Sequence, residues 1–197
     1  MKPILKRSGS VKPKAALTVL EKPRRTGALK SVPRPPLVVP KESGRPGSAR
    51  PEPAPPLALL NAAREAAGNA YAPYSKFRVG AAVETSDGRI FVGANMENAS
   101  YGLTMCAEVG ALQAASSAGA LDKVRRIAIV GGPMKPAAAY QPKPTAPCGR
   151  CRQLIAEAAT HAGHEIEVWY ADLDRKLVQR RTISELLPDA FDASDLK

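Results

Sequence analysis

Three cysteines and a glutamate stand in an order that can hold a metal ion and move protons beside it: Cys106-Ala-Glu108, then Pro147-Cys148-Gly-Arg-Cys151. Cys148 and Cys151 are spaced i, i+3, so both sulfurs can lie on one face of a first helical turn and grip a single ion. Cys106 supplies a third sulfur and leaves the fourth tetrahedral corner open. A catalytic zinc keeps such a corner for water, whereas a structural zinc usually fills it with a fourth protein ligand. Alone, Glu108 would be an ordinary first-turn helix acid favoured by the helix dipole. Beside three thiolates it reads as a general acid–base group. Both cysteine segments fall where helices are expected to start, and the free N–H groups there favour thiolate over thiol. Residues two apart in a regular helix point about 200° apart, so Cys106 and Glu108 share a site only if the helix is just beginning.

More of the pattern surrounds these residues. Asn95-Met-Glu-Asn-Ala-Ser-Tyr101 precedes Cys106, and Arg152-Gln153 follows Cys151. With Asn-x-Glu-Asn, Cys-Ala-Glu and Pro-Cys-Gly-x-Cys-Arg-Gln in sequence, the chain from Leu57 onward resembles the small, homotetrameric, zinc-dependent cytidine deaminases of nucleoside type. Zinc deaminases as a class pair H-x-E, or its cysteine variant, with P-C-x-x-C. The resemblance implies that Cys106, Cys148 and Cys151 bind Zn²⁺ and that Glu108 shuttles protons. The implied reaction is hydrolytic deamination of cytidine and deoxycytidine to uridine and deoxyuridine, with release of ammonia, in pyrimidine salvage. It further implies Asn95 and Glu97 on the ribose hydroxyls and Phe77 lining the pyrimidine pocket. Phe191 would stack on the base from a neighbouring subunit, with Tyr101 at a subunit contact. The Ala107 backbone and the Ala146 carbonyl would meet the base edge and the departing amine. One position departs from the pattern, since many relatives carry Arg where this chain has Val109. Arg150 and Arg152 are expected to supply the missing charge by donating to the sulfurs. Two rival readings remain open: a deaminase of a cytosine-containing antibiotic such as blasticidin S, and a nucleic-acid-binding protein acting through a basic tail.

Positioning these groups requires several elements. Leu57, Leu60, Ala63 and Ala67 recur at helical spacing and predict an amphipathic helix from Leu57 to about Tyr71, ended by Pro73. A strand over 78–85, the turn Ser86-Asp87-Gly88-Arg89 and a strand over 90–95 predict a hairpin that delivers Asn95 and Glu97 at its far end. A helix from about Met105 to Ala118, a strand over 123–130 closed by Gly131-Gly132, a helix over 149–162 and a strand over 165–170 follow. The proline-rich loop at 133–147 exceeds the usual length in compact domains, which suggests either a place near the site or poor order. A short helix is expected at 183–187. His161 and His164 are expected in a solvated loop after the last long helix, and Trp169 in a core or interface. Strands alternating with helices after an opening hairpin predict a mixed sheet flanked by helices. The resemblance makes this an α/β fold, three-layer α/β/α with a five-stranded mixed sheet, preceded by a disordered N-terminal tail.

Charge divides the 197 residues in two. The net charge is +11, of which residues 1–56 carry +10 and residues 57–197 only +1. The first 56 residues also hold 12 of the 19 prolines and no aromatic ring. Such a segment buries too little apolar surface to offset its ordering entropy, so residues 1–56 are expected to be a disordered basic tail and residues 57–197 the folded domain. A near-neutral domain makes nucleic acid an unpromising partner for it, while the tail could attract polyanions by charge alone. Three cysteines cannot all pair within one chain, and no apolar run is long enough to span a membrane. The expected setting is the cytoplasm, with a small nucleoside as the partner and no membrane.

Overall fold

The computed structural model describes residues 53–196. The expectation of a disordered tail falls on residues that, up to residue 52, lie outside this range. In order, the elements are α1 (Leu57–Ala67), β1 (Phe77–Thr85), β2 (Ile90–Ala94), α2 (Ala107–Ser117), β3 (Val124–Pro133), α3 (Gly149–Ala162), β4 (Glu167–Asp172), β5 (Val178–Thr182) and α4 (Ile183–Leu186), with short 3₁₀ turns between some of them. The five strands form one sheet in the order β2-β1-β3-β4-β5. β3 and β4 run parallel, and the other neighbours are antiparallel. α3 is the crossover that the parallel pair requires.

Two hydrophobic clusters give the sheet its layers. Side chains alternate across a strand with period two. Thus Ala81, Val83, Ile127, Ile129, Val168 and Tyr170 face α2 and α3. The intervening Ala82, Ala128, Val130, Trp169 and Ala171 face α1 through Leu59, Leu60 and Ala63. Helices therefore cover both faces, as the three-layer expectation required. Each fully buried Leu or Ile contributes roughly 1.5–3 kcal/mol of transfer free energy. Trp169 is a core residue on the α1 side.

Glycine sets how closely the layers approach. A Cβ on Gly80 would collide with the Ala63 carbonyl and the Ala67 backbone of α1. A Cβ on Gly93 would strike the Ala107 carbonyl and the backbone of Gly110 and Ala111 in α2. β2 therefore lies directly against the first two turns of α2, with backbone touching backbone.

Several boundaries depart from expectation. α1 ends at Ala67 rather than near Tyr71, because the chain turns at Gly68 and Asn69 well before Pro73. Leu57 is exposed, and Leu59 takes the buried place in the first turn. β3 does not stop at Gly131-Gly132 but runs on to Pro133, pairing with Phe77, Arg78 and Val79 of β1. Those glycines leave room for Thr145 and Leu173, which a side chain there would crowd. β5 was not visible as a strand in the sequence. His161 lies in the last turn of α3, not in a loop. His164 is half-buried rather than solvated, with Nε2 2.9 Å from the Val124 carbonyl and Nδ1 3.0 Å from that of Ala162. No helix among the described residues is long and apolar enough to cross a membrane.

Candidate metal centre

Cys106 and Cys148 occupy the same structural position in two different helices. Each is the N-cap, with extended backbone (φ −73°, ψ 154° and φ −69°, ψ 169°), of α2 and α3 respectively. The helices begin immediately after them, which is the condition under which Cys106 and Glu108 can serve one site. Cys151 sits three residues into α3, fully buried, while Cys148 is exposed. The Sγ atoms of Cys148 and Cys151 are 3.5 Å apart, those of Cys106 and Cys148 are 3.9 Å apart, and all three lie within 4.8 Å of one another. A tetrahedral zinc with bonds of about 2.3 Å places its sulfur ligands about 3.8 Å apart. The trio thus fits one Zn²⁺, with an all-sulfur donor set and a vacant fourth corner.

Glu108 shares the site. Its carboxyl is buried at 4% exposure in the first turn of α2, and burial pushes its pKa up, opposed by hydrogen bonding from its own backbone N–H and from Cys151. Hydrogen bonding from Cys151 brings Cys106 down to about 6, against burial and the Glu108 charge, with the Arg150 guanidinium adding a small electrostatic contribution. Without metal, then, the first thiolate forms on Cys106 and Cys151 keeps its proton. A metal replaces that proton and draws all three sulfurs into the thiolate form.

The comparisons with known proteins decide the family. A family model described as the cytidine and deoxycytidylate deaminase zinc-binding region matches residues 56–163. The chain belongs to this family. It is 45% identical to a cytidine deaminase of Halalkalibacterium halodurans over 138 residues, covering 70% of this chain and 95% of that protein. It is 41% identical to a cytidine deaminase of Mycobacterium tuberculosis over 134 residues, covering 68% of this chain and 87% of the relative. A crystal structure of a cytidine deaminase from Burkholderia pseudomallei superposes with a TM-score of 0.59 at 43% identity, covering 68% of this chain and 98% of that one. As a deaminase of this family, the protein is a zinc-dependent hydrolase, and the cysteine trio is where its zinc belongs.

The other residues singled out in the sequence are found in differing states. Glu97 is half-buried, and its Oε2 accepts from the backbone N–H of Tyr74 (2.9 Å) and Ser75 (3.2 Å). Hydrogen bonding from Ser75, against slight desolvation, holds it below the usual carboxylate range. Glu97 lines an open concavity of about 420 Å³ with Tyr74, Ser75, Tyr101 and Thr104. Asn95 is engaged with β1: its Oδ1 accepts from Val79 N–H at 2.8 Å and its Nδ2 donates to the Phe77 carbonyl at 3.0 Å. That clasp fixes the strand end carrying Phe77. Ala107 is buried at the start of α2, and Ala146 is exposed just before Pro147. Phe191 is 59% exposed and Tyr101 74%.

The hydrogen bonds of the two arginines run to carbonyls and to the Met105 sulfur rather than to the cysteine sulfurs expected of them. Arg150 donates to the Thr104 carbonyl (3.3 Å) and contacts Met105 Sδ (3.7 Å), bridging to the residues before Cys106. Arg152 donates to the carbonyls of Pro147 and Leu186, both at 3.0 Å. Among the described residues, neither has a hydrogen bond to a cysteine sulfur. Sequence reasoning also missed the backbone of Tyr74 and Ser75 as the partners of Glu97. A loop's N–H groups carry no residue-type signal that spacing could reveal.

Proposed function

We propose that the protein deaminates cytidine and deoxycytidine by hydrolysis, with Glu108 as the single proton carrier. The observation that carries this reading is the buried Glu108 carboxyl beside three sulfurs that fit one ion. Bound zinc supplies Lewis acidity, lowering the pKa of a coordinated water to about 7. Glu108 takes a proton from the attacking water and passes it to N3 of the base, which makes C4 electrophilic. It then carries the second proton to the exocyclic amine. The C4–N bond breaks as the C4–O bond persists, so one water is consumed and one ammonia leaves. Burial suits the task, because raising the pKa of the carboxyl makes it a better base towards water while leaving it able to hand the proton on.

The remaining roles follow from the same reading. Glu97, held by two backbone N–H groups beside the open concavity, receives the ribose hydroxyls, with Asn95 fixing the strand end next to it. Phe77 lines the base pocket, and Ala107 and Ala146 offer backbone groups to the base edge and the departing amine. Tyr71, Tyr74, Met96, Tyr101 and Leu103 are exposed, and Tyr74 and Tyr101 line the concavity with Glu97, so a single subunit leaves apolar surface in water there. A homotetramer in which Phe191 reaches a neighbouring subunit would cover it. Three thiols that must stay reduced to bind metal fit a reducing compartment such as the cytoplasm, in pyrimidine salvage. Residues 57–197 form the catalytic domain, and the basic residues before it are dispensable for the chemistry.

Glu108→Gln, assayed for uridine formation with zinc content measured in parallel, tests the proposal. The expected result is a fall in kcat of about 10²–10⁴-fold with zinc retained. Full turnover, or loss of the zinc itself, would remove Glu108 from the role of proton carrier.

A further inference from the structure

Two side chains that follow the last cysteine have no part in the chemistry above, yet they tie the metal helix to the end of the chain. Arg152 reaches in two directions. Its Nε donates to the carbonyl of Pro147, the residue preceding Cys148, and its Nη1 donates to the carbonyl of Leu186 at the end of α4. Gln153 reaches further. Its Nε2 donates to the carbonyl of Phe191 at 2.7 Å, across 38 residues of sequence.

The Phe191 ring is exposed, so packing within the subunit does not hold it in place. Over residues 188–191 the Gln153 bond is the hydrogen bond to the rest of the domain recorded among the described residues. Pro188 lacks an N–H to offer, and the flanking residues continue neither α4 nor the closing 3₁₀ turn. A short segment with few bonds and little burial samples many conformations unless something pins it. Here the pin comes from a residue two positions after a metal ligand.

We infer that Gln153 is the positioning residue for Phe191, and that Gln153 and Arg152 together make the first two turns of α3 the common anchor for two cysteine ligands and the base-stacking ring. The inference rests on the role proposed above for Phe191. Arg152 fixes where the chain leaves α4, and Gln153 fixes where it presents the aromatic side chain. A ring whose backbone is held in advance loses less conformational entropy when a base stacks on it, so the tether acts on substrate binding rather than on the chemical step.

The test uses the zinc-loaded, full-length protein and two substitutions. Gln153→Met keeps the length of the side chain and removes its donor, and Gln153→Lys keeps a donor. Amide hydrogen exchange over residues 187–192 reads the tether directly, and KM and kcat on cytidine read its consequence. In Gln153→Met, exchange there should quicken about tenfold and KM rise about tenfold while kcat moves less than about twofold, the scale set by one net hydrogen bond. Gln153→Lys should recover most of both losses. Unchanged exchange in Gln153→Met would overturn the tether. Faster exchange with unchanged KM would overturn the positioning role. If the wild type failed to turn over cytidine, the proposed function would fall, and the exchange measurement would still decide whether Gln153 holds the segment.

Discussion

Glu108 and Cys148 lie at opposite extremes of exposure within one site. The acid is almost fully buried and the cysteine exposed, so the site runs from a shielded carboxyl to a sulfur that meets solvent. Cys148 closes the site from the solvent side, and its loss should be felt first in metal retention. Cys148→Ser should weaken zinc by more than about 100-fold in chelator competition, because even loss of a partner behind a ligand costs 10–100-fold. Activity should fail in proportion and return when excess zinc is supplied. The ligand residues were legible in the sequence because i, i+3 spacing and N-capping position are local properties. The behaviour of Arg150 and Arg152 was not, since their partners are the carbonyls of Thr104, Pro147 and Leu186, brought near only by the tertiary fold.

At the scale of elements, the site depends on how tightly α2 lies on β2. Gly93 faces the Ala107 carbonyl with no room for a side chain, so the start of α2, with Cys106 and Glu108, is located by that contact. Gly93→Ala should cost about 1–3 kcal/mol in chemical denaturation and should lower zinc affinity with it, as the helix backs away. Gly149→Ala is the contrasting case. A Cβ there meets nothing, and the change should leave stability unchanged or raise it by up to about 1 kcal/mol. The hairpin and α3 could be read ahead because turn residues and apolar periodicity marked them. β5 escaped notice because Val-Gln-Arg-Arg-Thr has a single apolar residue, an edge strand needing only one packed face. The continuation of β3 escaped because two glycines look like a stop, although here they serve close packing by Thr145 and Leu173.

For the molecule as a whole, the match to the Halalkalibacterium relative covers 95% of that protein, and the family model's match begins in this chain at residue 56. Nearly all the net charge lies before that point. Removing residues 1–52 should leave cytidine turnover within about twofold. Any salt-sensitive retention on a polyanion such as heparin should disappear with them, as expected of binding driven by counterion release. Loss of turnover on truncation would place the tail in the enzyme's working machinery. The sheet itself ends in two unlike borders. β2 offers exposed Ile90 and Val92, whereas β5 sets Gln179 and Arg181 outward beside Arg180. Cationic residues on a border strand discourage another strand from docking there. Extension of the sheet from one copy of this chain to the next is therefore discouraged at the β5 rim.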